Sequence, residues 1–140
     1  MKYRELKYNS ALIDQLKESA LSSFRQGHYF QSGIILFQTV EVLLRICVSG
    51  LGRTHGVAAS VLKECASDEI SFRRLTLYLD LVSPQNGLGD RLRQLNTKRN
   101  AFVHEAFYQS ESIDALNTRL EQFCVECVDL NAELRKLIGV

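Results

Sequence analysis

Residues 113–137 read IDALNTRLEQFCVECVDLNAELRKL, and their spacing decides the fold class. Ile113, Leu116, Leu120, Phe123, Cys127, Leu130, Leu134 and Leu137 follow one another in steps of three and four. That spacing lines apolar side chains along one face of an α-helix. Asp114, Arg119, Glu126 and Lys136 fall off the stripe. Ser110 or Ser112 can cap the start, and Gly139 marks the end. The stretch is therefore a long helix with one face to bury, and the rest of the chain has to supply what covers it.

Working outward, every other segment carries the same helical period. Asn9 or Ser10 can cap a helix that turns Leu12, Ile13, Leu16, Ala20 and Phe24 inward and ends at Gly27. A second helix is predicted from about His28 to Val48, closed by Gly50 and Gly52. It is apolar almost all round, so it is expected to be the most buried helix or to face another subunit. Short helices are predicted over about Val57–Cys65 and Asp68–Val82, the latter ended by Ser83-Pro84-Gln85-Asn86-Gly87. A further helix spans about Gly89–Phe107. β-Branched residues do not alternate with polar ones over useful lengths, so no strand is predicted. The expected fold is all-α: an antiparallel up-and-down bundle of four main helices with one or two short extra ones, a single domain over residues 1–140.

Composition narrows the function classes. The chain has 140 residues, 46% hydrophobic and 24% charged, which is ordinary for a soluble globular domain. The start, MKYRELKYNS, has no apolar run behind it and does not resemble a secretory signal. Residues 34–48 are strongly apolar, but Gln38, Glu41 and Arg45 interrupt them and the run is short for a membrane span. A cytoplasmic protein without a membrane partner is expected. A net charge of +1 argues against nucleic-acid affinity built on bulk positive charge. It leaves room for a local basic site, either Arg91, Arg93, Lys98 and Arg99 with only Asp90 among them, or Arg73-Arg74. Such clusters also arise as solvated helix faces. Cys124 and Cys127 form a CxxC, but inside a helical pattern, without a second CxxC or a histidine at ligand spacing. They are expected to fill the core with Cys47 rather than to hold zinc or exchange electrons. No metal and no cofactor are expected.

Two helices contain polar residues where apolar ones belong. On the helix from Gly89, Leu92, Leu95, Phe102, Val103 and Ala106 share one face, and Arg99 lies at its centre. A guanidinium there keeps its charge and needs an anionic or hydrogen-bonding partner. Asn100 and His104, four apart, share a neighbouring face. On the second helix Gln38, Glu41 and Arg45 form a narrow polar stripe. Buried polar groups normally find each other, so Glu41 is expected near Arg99 or His104. Taken alone, such a pairing could be an interhelical salt bridge that only fixes packing.

The stretch Arg99-Asn100-Ala101-Phe102-Val103-His104 resembles the motif of the HEPN family: an arginine, a polar residue straight after it, and a histidine four to six residues on. Gln38-Thr39-Val40-Glu41-Val42-Leu43-Leu44-Arg45 is similar to that family's second helix, Gln-x-x-Glu-x-x-x-Lys, with Arg45 where lysine is commoner. Arg53-Thr54-His55-Gly56, followed by Val57 and Leu62, resembles the opening of the next helix, and Gly27-His28-Tyr29-Phe30 resembles the helix entry before. The likeness covers most of residues 10–138. It implies a metal-independent endoribonuclease acting on RNA as a homodimer, with both Arg–His pairs facing one cleft. Arg99, Asn100 and His104 would then be catalytic, Glu41, Gln38 and Arg45 supporting, and Lys98, Arg91 and Arg93 would bind substrate. An imidazole can move protons near neutral pH, and a guanidinium can hold phosphate oxygens with a two-pronged fork. Attack by the ribose 2′-hydroxyl would make RNA, and not DNA, the substrate. The setting implied is a toxin–antitoxin or antiphage defence system, with an antitoxin as partner. Where some family toxins carry a modifiable tyrosine two residues after the histidine, this chain has Ala106. The competing class is a non-catalytic HEPN module that binds a nucleotide or a partner protein such as a nucleotidyltransferase. His28 and His55 are expected in helix-end turns, and Tyr29, Tyr78 and Tyr108 in the core or at its rim.

Overall fold

A computed structural model describes residues 10–57, 59–66, 70–84, 87–104 and 112–139. Among these residues the chain is all-helical, without a strand. The helices are α1 (Ser10–Arg25), α2 (Tyr29–Thr54), α3 (Ala59–Ala66), α4 (Phe72–Val82), α5 (Leu88–His104) and α6 (Ile113–Leu137).

The helix ends follow local chemistry. Ser112 Oγ accepts the Ala115 N–H at 3.1 Å and opens α6. Ser71 Oγ accepts the Arg74 N–H at 3.2 Å and opens α4 at Phe72, later than the predicted Asp68. The cap wins because its oxygen satisfies an amide that the first turn leaves without a partner. Helix α2 runs past the predicted stop, straight through Gly50 and Gly52. Gly52 is buried, and packing there offsets the roughly 1 kcal/mol that a glycine costs a helix. The helix closes instead around Gly56, at φ +73°, with the Val57 N–H reaching back to the Gly52 carbonyl at 2.9 Å.

Helix α2 is central and touches α1, α3, α4 and α6, while α5 lies against α4 and α6. Leu36, Val40, Leu43 and Leu44 of α2 meet Leu75 and Leu79 of α4, Leu92 and Leu95 of α5, and Leu130 and Leu134 of α6 in one core. Gly33 lies under the Phe123 ring, Thr39 bonds Asn131, and the Cys47 thiol donates to the Leu134 carbonyl. These contacts advance together along both chains, so α2 and α6 run parallel. Lys98 with Glu126 and Phe102 with Phe123 advance in opposite senses, so α5 is antiparallel to α6.

The predicted stripe of α6 is buried at Leu120, Phe123, Cys127, Leu130 and Leu134 and half-buried at Leu116 and Leu137. The inward face of α1 is narrower than predicted. Ile13 and Ala20 are buried, but Leu12 and Leu16 are exposed. Helix α2 extends the apolar run read at 34–48 to 26 residues, long and apolar enough to cross a membrane by length and composition alone. More than half of that apolar stretch is buried against the other helices.

Candidate functional site

Helical geometry sorts the residues of α5 by direction. Taking Arg99 as zero, successive residues advance about 100°. Leu92, Leu95, Phe102 and Val103 fall within about 60° of Arg99 and form the face turned to the core. Leu92, Leu95 and Phe102 are buried and Val103 is at the exposed edge, while Ala106 lies outside the described residues. Arg99 is half-buried at the centre of this face, as the wheel requires. Its guanidinium carbon stands 4.9 Å from the centre of the Phe37 ring of α2, and Nη2 donates to Asn96 Oδ1 at 3.4 Å. Its Nε–H is buried without an acceptor. A partly desolvated cation is thus held by a ring face and one amide oxygen, with no carboxylate of the described residues against it.

Asn100 and His104 lie on a neighbouring face, and both are exposed, His104 being the last residue of α5. The helix brings these two together. It does not bring Arg99 with them: five residues turn the helix by about 140° and advance it about 7.5 Å. Arg99 is directed to the core side of α5 and His104 to solvent.

Glu41 does not meet Arg99 or His104. Its carboxylate accepts from Arg45 Nη2 at 3.1 Å, one helical turn away and always within reach. Arg45 is buried, and the same nitrogen also reaches the Ile70 carbonyl ahead of α4 at 3.4 Å. Gln38 is exposed. The polar stripe of α2 therefore closes on itself and on the chain entering α4.

The basic cluster separates in the same way. Arg93 faces α4, where it donates to Asp80 at 2.9 Å and to Thr76 at 3.1 Å, and it also holds Asp90. The hydrogen bond to Asp90 is the largest influence raising the Arg93 pKa further, partly opposed by desolvation. Lys98 faces α6 and pairs with Glu126 at 2.9 Å. Arg91, on the α6 side too, borders a surface hollow with Glu121, Glu126 and Asp129. Proximity in sequence does not become a positive patch, because each ridge of the helix meets acidic neighbours.

Cys124 and Cys127 are buried in the core, as is Cys47. Burial pushes the Cys47 thiol up to about 12 and raises Cys124 and Cys127 as well. Thiolate is the form that binds metals and attacks disulfides, so these positions suppress both. His28 and His55 are exposed at the start and end of α2, and Tyr29 and Tyr78 are half-buried. Tyr108 lies outside the described residues.

No family model matches the chain, and neither a curated protein nor a solved structure does. The likeness to the HEPN family thus stands on the residues quoted above.

Sequence reasoning missed three residues here. Asn96, three positions before Arg99, was open to detection from its spacing on the same face. Phe37 was not, since nothing local distinguishes it from the other apolar residues of α2. Asp80, which holds Arg93, became visible only once α4 and α5 were seen side by side.

Proposed function

We propose that this chain is a metal-independent endoribonuclease of HEPN type, an antiparallel four-helix bundle acting in the cytoplasm as a homodimer, in a toxin–antitoxin or antiphage defence setting. The observation that carries the reading is the last turn of α5. Asn100 and His104 are exposed there on one face, and Arg99, on the core side of the same helix, keeps a guanidinium that no carboxylate of the described residues neutralises.

In the reaction the ribose 2′-oxygen bonds to phosphorus and the bond from phosphorus to the 5′-oxygen breaks. The proton leaving the 2′-hydroxyl is balanced by one delivered to the 5′-oxygen. His104 carries a proton at one of these oxygens. Arg99 gives its N–H donors to the non-bridging phosphate oxygens, where charge builds up. Asn100, on the histidine's face, orients the phosphate or the imidazole. With Arg93 and Lys98 held in ion pairs and Arg91 bordering a hollow lined by Glu121, Glu126 and Asp129, the contact to the RNA backbone falls chiefly to Arg99.

The test is cleavage of generic RNA by purified protein in excess chelator, with His104→Ala and Arg99→Ala alongside. Cleavage is expected from the natural chain and a loss of at least about a hundredfold from His104→Ala, the usual scale for removing a proton-transfer group. Undiminished cleavage in both variants would remove these residues from the mechanism. A second reading, a non-catalytic module that binds a nucleotide or a protein such as a nucleotidyltransferase, is favoured by the inward stacking of Arg99 on Phe37. It predicts RNA binding or partner capture with no cleavage.

A further inference from the structure

We propose that a slot between α1 and α6 binds a small primary amine, its apolar body inside and its ammonium at Asp129 on the rim. The inference goes beyond the function proposed above. The slot shares no lining residue with the Arg99 cleft, so its failure leaves that reading untouched.

The slot follows from the way three helices meet. Helices α1 and α6 both pack on α2 but hardly on each other. They are tied at one end, where Arg135 donates to Asp14 at 2.6 Å. Farther along they leave a gap of about 220 Å³, lined by Leu21 and Phe24 of α1, Leu36 of α2, and Cys124, Val125 and Val128 of α6. Leu36 is buried and forms the floor. Beside the slot Ser32 Oγ donates to the Ala20 carbonyl at 2.8 Å, and the Phe24 ring meets Tyr29 edge-on at 5.1 Å between centres. A shift of α1 that closed the gap would break these contacts.

Size and charge select the occupant. An apolar cavity of roughly 150 Å³ stays dry and takes up a benzene ring, so this one suits a ring or a chain of about six carbons. Its one ionised lining residue is Asp129, which is exposed and, with Val125, also borders the hollow that holds Glu121 and Glu126. Lys98 pairs with Glu126. Among the described residues no ion pair engages Asp129 or Glu121, although Lys17 stands one turn before Leu21 and Arg91 borders the hollow. Burial chiefly, and the Glu121 charge in smaller part, raise the Cys124 thiol, so the negative field of α6 reaches the inner wall.

A carboxylate or phosphate on the ligand would be repelled at this rim, and an uncharged body would leave Asp129 unmatched. An amine answers both conditions. It is protonated at neutral pH, as the lysine side chain is, and its N–H donors meet the carboxylate while the apolar end fills the slot. A lysine from another protein has the reverse order. Its charge is at the tip, and insertion would carry an ammonium into apolar surroundings, which is costly. The occupant is therefore a free amine.

The full chain is titrated with butylamine, hexylamine, hexanol and hexanoate while the methyl NMR signals of Leu21, Leu36 and Val128 are followed. Hexylamine is expected to bind saturably, with shifts centred on those methyls. Each methylene gained over butylamine should tighten binding about fourfold. Hexanol should bind up to about fivefold more weakly, the scale of an exposed ion pair, and hexanoate more weakly still. Asp129→Asn should bring hexylamine down to hexanol and leave hexanol unchanged. Val128→Phe should abolish binding of both, with helicity checked by circular dichroism, and Leu21→Phe fills the slot from the opposite wall if that variant does not fold. Nα-acetyl-lysine amide should not compete. Failure of hexylamine to saturate, hexanoate binding as tightly as the amine, or an amine indifferent to Asp129→Asn would each overturn the proposal. Competition by the lysine amide would overturn it too, in favour of a protein side chain.

Discussion

Replacing Arg99 by methionine separates a packing residue from a site residue. The guanidinium gives the fold a contact with Phe37, which is worth about 1 kcal/mol at a partly desolvated position. The bond to Asn96 is long at 3.4 Å, so it adds at most about 0.5 kcal/mol. Against this stands a buried Nε–H without an acceptor, a burden of roughly 1–3 kcal/mol. A methionine fits the same apolar surroundings, keeps contact with the Phe37 ring and contributes about 1 kcal/mol more by burial. The balance favours Arg99→Met by on the order of 1 kcal/mol, a rise of a few degrees in Tm for a chain of this size. Urea unfolding followed by circular dichroism measures it, with the midpoint read at constant slope. A residue kept for function is expected to behave in this way, because the fold gives up stability to hold it. If Arg99→Met instead loses 2 kcal/mol or more (about the scale of a buried charged hydrogen bond), the guanidinium is a structural brace and the site reading fails.

Two further outcomes follow from the fold. A Cβ at Gly89 would land on the Asp80 carboxylate, so Gly89→Ala should displace Asp80 from Arg93 and cost about 1–3 kcal/mol, the usual range for overpacking. Gly87→Ser, whose neighbourhood is open but whose φ is +66°, would cost less and serves as the comparison in thermal melts. The buried thiols set an alkaline limit. Their folded-state pKa lies above the ordinary value of 9.0, reaching about 12 for Cys47, so their contribution is complete below about pH 9 and is lost as pH rises through the interval to 12. Each thiol should then remove up to about 1.4 kcal/mol per pH unit. Cys47→Ala should flatten the fall in stability above pH 9, and an unchanged slope would show that Cys47 ionises freely in the fold.

The parts of this fold that sequence disclosed are those governed by period. Leu120, Phe123, Cys127, Leu130 and Leu134 all turned inward because steps of three and four leave a helix one face to bury. Period alone extended the face of α1 too far, to Leu12 and Leu16, since it counts apolar residues without knowing how wide a neighbour is. Glycine was a poor stop signal at 50 and 52 because its cost is local and small, whereas the packing that outweighs it comes from other helices. It was a good one at Gly27, where the chain takes up positive φ, and the true stop of α2 at Gly56 went unread. The site was legible to a similar degree. Arg99 at the centre of an apolar face was visible on the wheel. Its ring partner Phe37 was not, because side chains sixty-two positions apart meet only through the tertiary fold. The partner of Glu41 was misassigned although Arg45 stood one turn away in plain sequence. A stripe of alternating charge on one helix tends to satisfy itself before it reaches across.

The same geometry constrains any chemistry at α5. A motif counts residues, but a helix converts five residues into most of a half-turn. A phosphate held by Arg99 on the core side therefore does not face His104 of the same copy without wrapping the end of the helix. Two arrangements meet the requirement: a strand of RNA that bends over the last turn, or a cleft whose walls come from two chains. The second needs no distortion of the helix. On the nuclease reading proposed above, the two arrangements give opposite results when His104→Ala is mixed with Arg99→Ala. Part of the cleavage returns if the cleft is shared between two chains, and none returns if the RNA wraps the end of one helix.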